Sequence, residues 1–286
     1  MEKINGYELT APLTSDNSGF GRWGFAHKNG REYFIKEFLS PVYPLNTSLF
    51  SGSEMEQRVT ACNQFVQKKQ QLYNALNRCA GGNIVKIADF FRFGPKYYIV
   101  TEKVNVVRTS PEEVYRAFNF SAKVLLAKVI CYNVKLLHDN GIVHADLKPG
   151  NILIQKTAAG FYTAKIIDFD SSFLESQYIA RDELEGDPVY LAPEVFGAMN
   201  GSVASLSTKV DVFSLGVLFY QVFFGTLPQF GFGNQGYTFE LVGLGKQVLF
   251  PNNVNKYLKK MIEGMLQKDP KKRWDLNKVY AYLEKM

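Results

Sequence analysis

The eight residues His144-Ala145-Asp146-Leu147-Lys148-Pro149-Gly150-Asn151, with the apolar run Ile152-Leu153-Ile154 behind them, constrain this chain more than any other stretch. Ala127 to Asn140 carries apolar residues at helical spacing, and Gly141 supplies a stop. The eight residues therefore form a polar loop that leaves a helix and enters a strand. Within six positions, Asp146 to Asn151, the loop carries an acid, a base and an amide. A second apolar run, Ala164-Lys165-Ile166-Ile167, ends in Asp168-Phe169-Asp170. The two runs, joined through Gly160, read as a hairpin. That hairpin returns Asp168, seventeen residues further on, to the side of Asn151. Asp146, Asn151 and Asp168 then line one small site. An Asp and an Asn suit Mg²⁺ held against phosphate oxygens, because this hard ion takes few protein oxygens and shares the rest with substrate. Asp146 is left to orient a hydroxyl, and Lys148 offers charge to a phosphoryl group in transit.

His-Ala-Asp-Leu-Lys-Pro-Gly-Asn followed by Asp-Phe-Asp resembles the catalytic loop and metal-binding motif of eukaryotic-type (Hanks-type) protein kinases, whose pattern is H-R-D-L-x-x-x-N and D-F-G. Lys148, two residues after Asp146, is similar to the serine/threonine branch rather than the tyrosine branch. The resemblance implies ATP and Mg²⁺, a protein substrate, Asp146 and Lys148 as catalytic residues, and Asn151 and Asp168 as metal ligands.

Composition agrees with a globular chain. It has 286 residues, 46% hydrophobic and 14% aromatic, enough for a sizeable core and for two lobes sharing one cleft. The net charge of +6 reads as a mild, scattered excess without aromatic interleaving, so nucleic-acid binding is not indicated. Cys62, Cys79 and Cys131 lack metal-ligand spacing and suggest reduced thiols and a cytoplasmic location. Met1-Glu2-Lys3 leads into no signal-like apolar segment. The longest apolar stretch, Val212 to Phe224, is interrupted by Ser214, Gly216 and Gln221. It is too short to span a bilayer and fits a buried helix.

Towards the N-terminus, residues from about Tyr7 to Pro12 suit a first strand. Gly19-Phe20-Gly21-Arg22-Trp23-Gly24-Phe25-Ala26 has the spacing G-x-G-x-x-G-x-A. A dinucleotide fingerprint with that spacing opens a helix. Here Lys28-Asn29-Gly30-Arg31 signals a tight hairpin instead, and Tyr33-Phe34-Ile35-Lys36 follows as a strand. The resemblance makes this a phosphate-covering flap built on Gly19, Gly21 and Gly24, with Lys36 as the lysine that reaches the α- and β-phosphates. Ser40 to Gly52 reads as a loop, and Ser53-Glu54-Met55-Glu56 opens a helix running to about Asn77. Kinases place a glutamate on this helix opposite the strand lysine. Counting forward from Lys36 reaches Glu54 or Glu56. Counting back from the strand Asn83 to Ile87 reaches Val66 to Gln71, which holds no acid. An insertion in the preceding loop favours the backward count. Tyr97 to Val104 reads as a strand ending where the lobes join. By resemblance Thr101 is the gatekeeper, and Glu102 and Val104 offer backbone groups to the adenine edge. Pro111-Glu112-Glu113 starts a further helix.

Three positions depart from the family pattern. Ala145 stands where the Arg that receives a phosphorylated activation loop is usual, Asp170 closes the Asp-Phe-x motif, and Asp187 replaces the Thr of G-T-x-x-Y-x-A-P-E in Gly186 to Glu194. Two geometries are open for Asp187: sharing Lys148 with Asp146 as a brake on transfer, or capping the Pro188 turn and pointing away. Asp211 to Gly216 is similar to the D-x-W-S-x-G start of the family's buried central helix, and Arg273 is the residue that should pair with Glu194. The expected fold is therefore α+β and protein-kinase-like, with a small antiparallel-sheet N-lobe over 1–104 and a mostly helical C-lobe over 105–286. The expected activity is phosphoryl transfer from ATP to serine or threonine hydroxyls of proteins. Two alternatives stay open: a pseudokinase serving as a nucleotide-binding or scaffold module, and a small-molecule kinase of the aminoglycoside or choline type. Oligomeric state has no signature in the sequence.

Overall fold

The Asn29-Gly30 pair forms the turn its chemistry demands. Both residues have positive φ, 52° and 74°, and they close the hairpin between β3 (Gly21–Lys28) and β4 (Arg31–Phe38). The computed structural model describes residues 2–16, 21–45, 51–79, 82–105, 111–158, 160–202, 205–231, 233 and 235–286. The chain divides into two compact units, Met1–Ala80 with Val85–Asn105, and Gly81–Ile84 with Val106–Met286.

In the first unit β1 (Lys3–Ile4), β2 (Tyr7–Leu9), β3, β4, β5 (Ile87–Phe93) and β6 (Lys96–Glu102) form one antiparallel sheet in the order β1-β2-β3-β4-β6-β5. The expected first strand stops at Leu9, short of Pro12, which has no N–H to give a ladder. Ile4, Tyr7, Leu9, Ala26, Ile35, Tyr98 and Val100 make an apolar core on one face. The other face is covered by α1 (Gly52–Cys79), whose Phe65 ring lies 5.3 Å from both Phe38 and Tyr97. Tyr73, two turns on, meets Phe90 at 5.2 Å.

In the second unit α2 (Pro111–Ala117) precedes α3 (Phe120–Asp139). Asn119 caps α3 by accepting the Ala122 N–H at 2.9 Å, and Gly141, at φ 68°, stops the chain beyond it. The helix starts a full two turns before Ala127. Next come β7 (Ile142–Val143), the hairpin β8 (Ile152–Lys156) and β9 (Tyr162–Ile166), and β10 (Phe173–Leu174), which pairs antiparallel with β7. The helices α4 (Pro193–Met199), α5 (Lys209–Phe224), α6 (Thr238–Gly243), α7 (Lys256–Met265) and α8 (Leu276–Leu283) complete it. Helix α5 is the buried one expected from its composition, and it ends at Gly225 with φ 73°. Among the described residues no helix is long and apolar enough to cross a membrane.

Arg273 locks α4 to α5. Its side chain is fully buried, and it meets Glu194 through two parallel bonds of 2.6 and 3.0 Å. Its remaining N–H groups donate to the carbonyls of Gln267, Lys209 and Lys268. All five guanidinium donors are thus used, which a lysine cannot reproduce. Arg273→Lys leaves the Glu194 carboxylate poorly paired in the interior. It is expected to destabilise the chain by about 3 kcal/mol, read as a lower urea midpoint at unchanged slope.

Candidate active site

The backbone of His144 and Ala145 is held by a single buried carboxylate. Asp211, at the start of α5, has no solvent exposure. Its Oδ2 accepts the His144 N–H at 2.8 Å and faces His138 Nε2 at 2.9 Å, and its Oδ1 accepts the Ala145 N–H at 2.8 Å. Two successive N–H groups converge on one carboxylate only if the backbone between them kinks, and Ala145 adopts φ 66°. The His144 ring continues the scaffold. Nε2 donates to the Ile167 carbonyl at 3.0 Å and Nδ1 accepts the Asp146 N–H at 3.3 Å, so one tautomer serves both. Phe169 packs 4.9 Å from this ring, and Ser172 Oγ donates to the His144 carbonyl at 2.9 Å.

This scaffold aims Asp146. Its Oδ2 receives Lys148 Nζ at 2.8 Å and Asn151 Nδ2 at 2.9 Å, and its Oδ1 receives the Asp187 N–H at 3.3 Å. Asn151 Nδ2 also donates to the Asp146 carbonyl at 2.8 Å. Both amide protons are thereby committed to Asp146, and Oδ1 of Asn151 faces the other way. The hairpin register pairs Ile152 with Ile166, and the Ile167 N–H donates to the Asn151 carbonyl at 3.0 Å. Asp168, with φ 60°, is the next residue along. The expected return of Asp168 to Asn151 is therefore built into the hairpin. One amide oxygen and one carboxylate are hard donors that fit Mg²⁺, which shares its remaining positions with water and phosphate. Among the described residues no three His, Cys, Asp or Glu side chains gather as a softer-metal cage requires.

Asp187 takes the second of its two open geometries. Its Oδ1 accepts the Val189 N–H at 2.9 Å, closing an Asx turn over Pro188, while Lys148 pairs with Asp146. The segment from 173 to 187 is tied down by the β10–β7 pairing, by Glu175 Oε1 accepting the Thr208 N–H at 3.0 Å, and by this turn.

In the first unit Gly21 and Gly24 lie on β3, and Gly19 falls outside the described residues. A Cβ on Gly21 would stand 2.8 Å from the Glu37 carbonyl and 3.1 Å from Lys36 Cε, so glycine is what lets the lysine stem approach β3. Lys36 is buried on β4, in register with Trp23 and Ile99. It shares a face with Phe38, two residues on, and that is the face of the sheet that α1 covers through Phe65. The residues around Phe65 hold no acid. Glu54 pairs with Arg58 in the exposed first turn, and Glu56 lies nine residues before Phe65, about 13 Å along the helix axis. No acid stands within two turns of Phe65 on either side, in keeping with the backward count. Thr101 and Glu102 end β6 and Val104 follows, half-buried. Glu102 exchanges backbone and side-chain bonds with Lys86, each at 3.4 Å.

Two features escaped the sequence reading. Glu37, next to Lys36 but on the opposite face, is buried and bound bidentately by Arg22 (2.8 and 2.9 Å), with the Tyr98 hydroxyl at 2.7 Å. Burial, then the bond to Glu37, pushes the Tyr98 phenol upward. An acid alternating with apolar residues in Tyr-Phe-Ile-Lys-Glu-Phe was the available signal. The other is the role of Asp211 and His138 as scaffold, which only packing reveals.

Comparison with known proteins identifies the family. The model of the protein kinase domain matches residues 54–282. The probable serine/threonine-protein kinase fhkC of Dictyostelium discoideum is 27% identical over 276 residues, 95% of this chain and 43% of that protein. The serine/threonine-protein kinase MPS1 of Saccharomyces cerevisiae is 32% identical over 183 residues, 57% of this chain and 23% of that protein. A probable myosin light chain kinase of Dictyostelium discoideum is 32% identical over 197 residues, 67% of this chain and 62% of that protein. The chain thus spans less than half the length of the first of these relatives. With the family model matching most of its residues and a catalytic loop braced as described, the chain belongs to the Hanks-type protein kinase family.

Proposed function

We propose that this chain transfers the γ-phosphoryl group of ATP to serine or threonine hydroxyls of protein substrates. One observation carries the reading: Asp146 is held by Asn151, Lys148 and the Asp187 N–H together. A carboxylate fixed on three sides suits orienting a hydroxyl and accepting its proton. Lys148, already beside it, supplies positive charge to the phosphoryl group. Asn151 Oδ1 and the Asp168 carboxylate would hold Mg²⁺, which would supply charge neutralisation at the phosphate oxygens. Lys36 and the glycines Gly19, Gly21 and Gly24 position the phosphates, and Thr101, Glu102 and Val104 meet the adenine edge. We assign residues 1–104 to nucleotide handling and 105–286 to catalysis and the protein substrate. Cys62, Cys79 and Cys131 are all buried free thiols, and burial pushes Cys131 up to about 12. Buried thiols that form no disulfide support a reducing, cytoplasmic setting.

Labelled ATP and Mg²⁺ should transfer label to a generic basic protein, and Asp146→Asn should lower the rate by about 10³-fold. Label transfer that survives this substitution overturns the assignment.

On the strand, Lys36→Ala should weaken nucleotide binding and turnover by at least tenfold. Glu54→Ala and Glu56→Ala should stay within about twofold of the parent, as exposed surface changes do. A glutamate variant as impaired as Lys36→Ala would place a partner in the first turn of α1.

The Asx turn makes a graded prediction at Asp187. Asp187→Asn retains the acceptor for Val189 and should keep turnover. Asp187→Ala loses it, loosens the N–H aimed at Asp146, and should lower turnover about tenfold at unchanged nucleotide affinity. Steady-state kinetics on the two variants separate this from a brake, which would show as faster turnover in both.

A further inference from the structure

The net charge is not scattered along the chain as its overall balance suggests. Residues 246–286 hold ten of the 33 basic residues and four of the 27 acidic ones, so this stretch alone carries the excess of +6. It comprises the loop leading into α7, helix α7, the turn before α8, and α8 itself. On α7, Lys256, Lys259 and Lys260 are exposed while Leu258, Met261 and Ile262 are buried, so the ammonium groups project from the outer face. The acids are largely occupied. Asp275 caps α8 by accepting the Lys278 N–H, Asp269 accepts the Lys271 N–H, and Glu263 lies 4.0 Å from Lys259.

Folding also brings aromatic rings among these cations, which the order along the chain conceals. Trp274 meets Tyr282 at 4.6 Å, and Tyr257 meets Tyr282 at 6.1 Å. Lys278 Nζ stands 4.2 Å over Trp274, and Lys285 Nζ 4.7 Å over Tyr282. Trp274 also lies against Gly264, where an added Cβ would stand 2.3 Å from the ring. Cation–π contacts steady the ammonium groups at the surface. Rings already covered in this way present charge outward rather than a bare platform for stacking bases.

Two leucines decide which polyanion the face fits. Leu244 is 73% exposed and Leu249 is 50% exposed, on either side of Lys246. Each is adjacent to a residue that touches another lysine: Lys268 Nζ donates to the Gly243 carbonyl at 2.6 Å, and Lys259 Nζ lies 5.7 Å from the Phe250 ring. A phosphodiester backbone offers nothing to exposed leucines. A bilayer surface takes both, with the apolar groups at the acyl boundary and the lysines among anionic headgroups. We propose that the 244–250 loop and the lysines of α7 and α8 form a peripheral docking face for an anionic membrane surface.

The test is co-sedimentation of the full chain with phosphatidylcholine vesicles containing about one-third phosphatidylserine. The chain should bind these vesicles, ignore pure phosphatidylcholine, and be released by added salt. The triple replacement Lys256→Gln, Lys259→Gln and Lys260→Gln should lower partitioning roughly a hundredfold, about fivefold per lysine. Leu244→Ser with Leu249→Ser should lower it about tenfold, with unfolding midpoints unchanged in both variants. No binding to the anionic vesicles, equal binding to neutral ones, or binding to single-stranded RNA in place of vesicles would each overturn the proposal.

Discussion

The carboxylate of Asp211 is the constraint from which the catalytic loop follows. A carboxylate without solvent must be satisfied by donors inside the protein, and leaving one unpaired costs several kcal/mol. Asp211 takes its donors from two successive N–H groups of the loop and from His138. The cost is a left-handed Ala145, on the order of 1–2 kcal/mol. An unpaired carboxylate would cost more than this kink, so the loop keeps it. With the backbone set there, Asp146 points at Asn151 and Lys148, and the His144 ring links the loop to Ile167, the residue before Asp168.

The same end of α5 also receives the second anchor. Arg273 donates to the carbonyl of Lys209, the first residue of that helix, and Lys209 Nζ returns a bond to the Arg273 carbonyl at 2.9 Å. Through Glu194 this fixes α4 and hence the far end of the segment that begins at Asp168. Gly216 lets the loop after α7 approach closely, since a Cβ there would meet Leu266 at 2.8 Å. A helix buried on every side has no solvent face on which to slide, so groups attached to it inherit its rigidity. The 173–187 segment is held by β pairing, by Glu175 and by the Asx turn at Asp187.

In the first unit the alternation of β4 separates two adjacent charges. Glu37 is saturated by Arg22 and Tyr98 on one face. Lys36 is directed to the other, toward α1. Had they shared a face they would pair with each other, and the lysine would not be presented to the α1 side at all. The close approach of Gly21 to both residues explains why a glycine sits at that point of β3.

Elements with local signals were legible in residue order alone. The Asn29-Gly30 turn, the hairpin that returns Asp168 to Asn151 and the buried helix follow from residue type and period, and the Glu194–Arg273 pair from the family resemblance. Each depends on chemistry that a few neighbouring residues, or one recognised motif, already contain. Packing decided the rest. That Phe65 is the α1 ring that meets Phe38 depends on how far α1 slides along the sheet, and an insertion before the helix erases that from residue counts. The direction of the Asp187 carboxylate was set by the Val189 N–H two residues away, in competition with a lysine far off in sequence. Asp211 meets the 144–145 backbone across 67 and 66 positions, and His138 across 73. The lysines and rings of α7 and α8 become one surface only when those helices pack. Contacts of this kind are properties of three-dimensional proximity, which residue order does not encode one position at a time.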